Sequence, residues 1–118
     1  MGFDLIDLKN KEDGFSTNIW HWHVIVGIIR SLRVLPEEKV DSLNEQYTDK
    51  GLSAEEARIV AAEMRSQVLP MLDQHSRVYF DGSTVRTDIP HDNVHYTTQA
   101  VLQRFVDYCE RSSGFALW

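Results

Sequence analysis

Histidine is the residue of this sequence best suited to bind a metal ion, and four of the five histidines stand in two short motifs. His21 and His23 are two residues apart, and His91 and His95 are four residues apart. Neutral imidazole is a common metal ligand, and a pair at i and i+4 places two nitrogens on one face of a helix. If a helix already includes His91, then His91, His95 and an acidic partner such as Asp92 would suit a small metal-dependent hydrolase.

Helix geometry weakens this interpretation. Pro90 precedes His91, and Asp92-Asn93 is typical of a helix cap, so His91 is expected to lie outside the helix. His21 and His23 on a helix are separated by about 200° and point apart. We therefore favour histidines with ordinary hydrogen bonds, expect no cofactor, and keep the hydrolase as the alternative function.

Two other kinds of reactive side chain are better explained by structure. Cys109 follows Phe105 by one turn on an apolar stripe, which favours a buried, inert thiol over a nucleophile. Asp4 and Asp7 stand in and just after a short predicted strand, where capping or solvated positions account for both.

The stretch TNIWHWHV at residues 17–24 carries two of the three tryptophans. Trp22 begins the main apolar stripe of a helix and is therefore predicted to be core. Trp20 and His21 are the better surface candidates, beside His95 and Tyr96 at the start of the last helix. Because tryptophan is enriched at interface hot spots, we predict that these four residues form a binding site.

Four helices are predicted to position these residues. The first, over residues 18–35, has apolar residues on most of its circumference and is the central, most buried helix. Pro36 opens a second, shorter helix, and the capping box of Ser53 and Glu56 opens a third, which ends or kinks at Pro70. Asp92 or Asn93 caps the last helix, which ends at residues 113–114.

The predicted strands are short. They cover residues 3–6, a hairpin at residues 77–87 with Asp81-Gly82 at its turn, and a closing strand at residues 115–118. Residues 9–14 are predicted to form a polar loop, and residues 49–51 a turn. The predicted fold is a single α+β domain over residues 1–118, with about four helices around a central buried helix. These pack on one small, mostly antiparallel sheet made of the terminal strands and the hairpin.

Composition limits the partners. The formal net charge of −6 disfavours nucleic acid and anionic membrane surfaces as ligands. The longest apolar run, at residues 24–29, is too short to cross a bilayer. The single cysteine excludes a disulfide within the chain and fits a reducing cytoplasm. We expect a cytoplasmic protein whose partner is another protein or a second copy of the chain.

Four segments carry a resemblance to a known family: MGFDL at the start, NIWHW at residues 18–22, DKGLSAEEA at residues 49–57 and FVDYCERSSGF at residues 105–115. Together they resemble a family of small, uncharacterised bacterial and phage-associated proteins. Members of this family carry tryptophan where this chain has His21 and arginine where it has His23. The resemblance therefore implies that the site around these two positions is aromatic rather than metal-ligating. Some members carry a cysteine-rich, zinc-ribbon-like insertion where this chain has the hairpin around Asp81, so that metal site cannot be transferred.

These observations predict a non-catalytic protein-binding or accessory protein. The resemblance adds the expectation of a role in phage–host or interbacterial conflict.

Overall fold

Four helices and two antiparallel sheets make up the computed structural model, which describes residues 2–45, 48–73, 77–80, 85–87 and 95–117. The helices are α1 (Ile19–Leu32), α2 (Glu37–Ser42), α3 (Ala54–Glu63) and α4 (Gln99–Arg111). The strands are β1 (Gly2–Asp7), β2 (Gly14–Asn18), β3 (Thr48–Ser53), β4 (Arg77–Phe80), β5 (Val85–Arg86), β6 (Thr97–Thr98) and β7 (Gly114–Leu117). The α+β class and the four helices predicted from the sequence are confirmed.

The first sheet has the strand order β2-β1-β7-β3, so the two terminal strands pair in its centre as predicted. The second sheet has the order β5-β4-β6 and contains the predicted hairpin, whose turn at Asp81-Gly82 lies outside the described residues. The prediction that the hairpin joins the terminal strands in one sheet is wrong. The helix α1 separates the two sheets, because Trp22 stacks on Phe3 of β1 while Gly27 lies against Phe80 of β4.

The helix α1 is the predicted central helix. Asn18 caps it, since its side-chain oxygen accepts a hydrogen bond from the backbone amide of His21 at 2.8 Å. Six of its side chains are buried: Trp22, Val24, Ile25, Val26, Ile28 and Ile29. The helix ends three residues earlier than predicted. Arg33 is left-handed with φ 57°, and its amide bonds back to the carbonyl of Arg30, so the turn closes before Pro36 is reached.

Among the other helices, the predicted cap of α3 is confirmed and the predicted cap of α4 is wrong. The capping box of α3 is present, with Ser53 accepting from the amide of Glu56 and Glu56 accepting from that of Ser53. After Glu63 the helix widens into a π-helical turn, Met64–Val68, and a 3-10 turn that contains Pro70, whose missing amide donor ends the α-helical pattern. The predicted cap of α4 at Asp92 or Asn93 is wrong, because Thr98 caps the helix and accepts from the amide of Val101.

Strands β2 and β3 were not predicted from the sequence. Part of each was expected to be a loop or a turn. Strand β2 buries only Phe15, and in strand β3 the side chain of Leu52 is buried. Gly51, predicted to lie in a turn, instead lies at a register shift between β3 and β7. A Cβ atom there would come within 1.8 Å of the carbonyl oxygen of Phe115, so only glycine permits this approach.

Candidate interaction surface around Trp20

The two neighbouring tryptophans of α1 have opposite environments. Trp22 is fully buried, stacked on Phe3 with ring centroids 5.2 Å apart and in edge contact with Phe105 at 5.8 Å. Its indole Nε1 donates a hydrogen bond of 2.7 Å to the carbonyl oxygen of Leu43. Trp22 is therefore a core residue, as the sequence predicts, and its polar atom is satisfied within the fold.

Trp20 is 50% exposed, which is a large apolar area to leave in water. The imidazole of His95 lies parallel to the indole, with centroids 4.1 Å apart and an interplanar angle of 3°. His23 lies one helical turn after Trp20 and contacts the indole edge-on, with ring centroids 6.2 Å apart and the rings nearly perpendicular. The two imidazoles hold the indole in place while half of it stays accessible.

Next to this stack, His21 joins α1 to β6. Its Nδ1 lies 2.8 Å from Oγ1 of the buried Thr97, and its ring is in edge contact with Tyr96 at 6.3 Å. Burial lowers the pKa of His21 below its ordinary value, which favours the neutral form of the ring. His21 is thus partly buried and supports the neighbouring exposed groups.

The last member of the group is Arg77, the first residue of β4. Its guanidinium carbon lies 5.0 Å from the centre of the Tyr96 ring, a cation–π arrangement. We call this group the Trp20 surface; it comprises Trp20, His21, His23, His95, Tyr96 and Arg77. Ring contacts join Trp20 to His23 and His95. A second set of contacts joins Tyr96 to His21 and Arg77.

The structure brings together the four residues predicted as a binding site: Trp20, His21, His95 and Tyr96. His23 was missed as a member, although its spacing of three residues from Trp20 on a helix signals the contact. Arg77 carries no such signal. It reaches Tyr96 because β4 pairs with β6, with Arg77 opposite Thr98, and short strands leave no clear pattern in a sequence.

The metal alternative receives no support from the residues that can be assessed. His95 precedes α4 and lies outside any helix, so the i and i+4 arrangement on one helix face is not formed. His91 and Asp92 lie outside the described residues. Among the residues the structure describes, no group of three or more histidine, cysteine, aspartate or glutamate side chains is arranged to hold a metal ion. The hydrolase that uses His91 and His95 stays a prediction.

Cys109 is a core residue. Its side chain is fully buried in α4, and burial raises the pKa of the thiol far above its ordinary value. A thiol that stays protonated is a poor nucleophile. The geometry agrees with the interpretation of Cys109 as a buried, inert residue.

Asp7 has a structural role that the sequence does not show. The side chain is only 3% exposed, and its oxygens accept backbone amides of Lys9 and Asn10 at 2.9 Å and of Ser113 at 2.7 Å. Burial acts to raise the pKa of Asp7, but the hydrogen bonds from Ser113, Asn10 and Lys9 outweigh it, so the pKa lies below its ordinary value. The carboxylate ties the end of β1 to the start of β7. A capping position is therefore correct for Asp7, whereas a solvated one is not.

A separate groove of about 590 Å³ lies at the C-terminal end of α1, away from the Trp20 surface. Arg30 and Phe80 contribute to its lining. The guanidinium of Arg30 is already paired with Glu37 and with Asp41, so the groove does not present a free cation at that position. None of Trp20, His21, His95 and Tyr96 lines it.

Within the described residues, no helix combines the length and apolarity needed to cross a membrane.

The comparisons with known proteins do not add a relative. No protein-family model, no curated protein and no solved structure matches the chain, so the resemblance to a bacterial and phage-associated family stays a prediction.

Proposed function

We propose that the chain is a non-catalytic protein-binding domain and that the Trp20 surface is its binding site. The observation that carries this proposal is the half-exposed indole of Trp20, stacked on His95 at 4.1 Å. The partner is another protein or a second copy of the chain.

The stacking lowers the entropic cost of binding. A free tryptophan side chain on a helix would lose rotamer freedom when a partner covers it. Here His95 and His23 already restrict the indole before a partner arrives. The exposed half of the ring can therefore contribute apolar area without an equal entropic loss.

The composition of the surface also favours an interface. Tryptophan, tyrosine and arginine are the residue types most enriched among interface hot spots, and the surface contains one of each: Trp20, Tyr96 and Arg77. Leu8 and Met71 are similarly exposed, at 53% and 54%, but neither leucine nor methionine is among the three residue types most enriched at hot spots.

The candidate catalytic side chains support the non-catalytic part of the proposal. Cys109 is enclosed in the core, and Asp7 uses both carboxylate oxygens to hold backbone amides. We also infer a cytoplasmic location, because a single buried cysteine needs no oxidising compartment. A role in phage–host or interbacterial conflict rests on the resemblance alone and is proposed on that basis.

Affinity capture with a matched control tests the proposal. The wild type, Trp20→Ala and Met71→Ala are immobilised and exposed to lysate of the source cells, and bound proteins are quantified by mass spectrometry. Light scattering on the same three proteins measures self-association. Met71→Ala removes a side chain of nearly equal exposure at another place, so it controls for general stickiness.

We expect the wild type and Met71→Ala to capture a partner protein or to self-associate. Trp20→Ala should do neither. The proposal fails if all three proteins capture the same set and have the same mass in solution.

A further inference from the structure

We infer that the partner segment bound by the Trp20 surface is acidic, rich in aspartate or glutamate. This inference rests on the proposed function and names the chemical class of the partner.

Charge is strongly segregated in this protein. The whole chain has 18 acidic and 12 basic residues. Yet the described residues of α1, β4, β5 and β6, which hold or adjoin the Trp20 surface, include no aspartate or glutamate. The absence extends through residues 95–106, which include the first two turns of α4. Asp81, Asp88 and Asp92 lie outside the described residues.

The acidic side chains of the described residues lie on other elements or on the second half of α4. The first turns of α2 and α3 carry two acidic residues each, and Asp107 and Glu110 on the second half of α4 pair with Arg65. The Trp20 surface itself contains Arg77 and three histidines. Within the described residues, the groups around the exposed tryptophan are thus neutral or positive, and charge complementarity favours an anionic partner there.

Arg77 is placed to recognise a carboxylate. The guanidinium is a planar fork of N–H donors, and that of Arg77 lies over the Tyr96 ring. A carboxylate can accept two of these donors at once. The indole of Trp20 would provide the apolar contact, so the segment should combine acidic residues with at least one apolar or aromatic side chain.

An acidic protein segment fits the charges better than a nucleic acid does. The net charge of −6 repels an extended phosphate backbone, whose binding gains from many cationic contacts along its length. A short peptide needs only the few groups of the Trp20 surface.

Selection from a library of random linear peptides tests the inference without knowledge of the natural partner. The library is selected in parallel on the wild type and on Trp20→Ala, and the peptides that depend on Trp20 are sequenced. Selected peptides are then titrated against Arg77→Glu, Arg77→Gln and the control Arg58→Glu. Arg58 is an exposed arginine of α3, so its reversal changes the net charge equally at another place.

We expect the Trp20-dependent peptides to be enriched in aspartate and glutamate. Arg77→Glu should weaken their binding at least about tenfold, Arg77→Gln less, and Arg58→Glu less than about twofold. Added salt should weaken binding in proportion to the peptide charge.

The inference is overturned if the Trp20-dependent peptides show no acidic excess, if no peptide depends on Trp20, or if Arg58→Glu weakens binding as much as Arg77→Glu. Binding of a labelled single-stranded RNA that is lost in Trp20→Ala would overturn it in favour of a nucleic acid. A Trp20-dependent partner found by affinity capture, together with non-acidic peptides, would leave the proposed function in place and remove only the acidic assignment.

Discussion

The contrast between Trp20 and Trp22 predicts very different costs for the same substitution at neighbouring positions of one helix. Trp22 is fully buried and Trp20 is 50% exposed. Replacing each by phenylalanine keeps an aromatic ring and removes the indole nitrogen and the second ring edge. The two variants therefore form a matched pair.

At Trp22 two losses add. The buried carbonyl oxygen of Leu43 loses its hydrogen bond from Nε1, which costs about 1–3 kcal/mol for an unsatisfied buried acceptor. The smaller ring also leaves space beside Phe3 and Phe105, which adds about 1 kcal/mol. We expect Trp22→Phe to lower the free energy of unfolding by about 2–4 kcal/mol. Trp20→Phe weakens only the exposed ring contacts with His95 and His23, so we expect a loss below about 1 kcal/mol.

Urea unfolding followed by far-ultraviolet circular dichroism measures both values, and an unchanged slope with urea would show that the compactness of the unfolded state is unaffected. The reasoning is refuted if Trp20→Phe costs as much as Trp22→Phe, or if Trp22→Phe costs less than about 1 kcal/mol.

Three further predictions concern the supports of the fold. Asp7→Asn should destabilise the protein at neutral pH by about 2–4 kcal/mol, because an amide cannot replace a carboxylate that accepts three backbone amides. Because the pKa of Asp7 is lowered from 3.8, the stability that its carboxylate contributes should be complete above pH 3.8 and should be lost as the pH falls further. The urea midpoints of the wild type and the variant at each pH measure this loss. The pKa of His21 is lowered from 6.5, so the folded state binds fewer protons than the unfolded state. The stability of the wild type should therefore fall as the pH drops below 6.5, and that of His21→Gln should fall less. An equal pH dependence of the two proteins would contradict this prediction. Gly51→Ala should cost about 1–3 kcal/mol or more, since its Cβ would lie 1.8 Å from the carbonyl oxygen of Phe115, and a neutral result would contradict the close approach of β3 to β7.

Local signals in the sequence were sufficient where the structure is locally determined. Ser53 caps α3 as predicted, and Asn18 caps α1 at the predicted start of that helix, because each cap depends on residues within three positions. The apolar spacing of α1 correctly marks its buried face. Cys109 is buried where the stripe of α4 places it.

The errors arise where distant contacts decide. Strands β2 and β3 lie at the two edges of their sheet, and their position depends on pairing with β1 and β7. The start of α4 was misjudged because Asp92 and Asn93 carry a stronger cap signal than Thr98. Thr98 is selected because β6, which it completes, pairs with β4. The second sheet was merged with the first because periodicity does not report which strands become neighbours.

The candidate site shows the same division. Trp20 and His21 were predicted to be exposed candidates from helical geometry, and their proximity to His95 and Tyr96 follows from the packing of β6 on α1. Arg77 was missed because it is 19 residues before Tyr96 in the chain and reaches it only through the pairing of β4 with β6. The role of Asp7 depends on Ser113, at the other end of the chain.

The most direct test of the account is the dissociation constant of a captured partner, measured by titration calorimetry for the wild type, Trp20→Ala and Met71→Ala. If Trp20 is a hot spot, its removal should weaken binding by about 30-fold or more, equivalent to about 2 kcal/mol. Met71→Ala, which removes an equally exposed side chain, should change the constant less than about threefold. Dissociation constants within about threefold of the wild type for both variants would contradict the assignment of the Trp20 surface as the binding site.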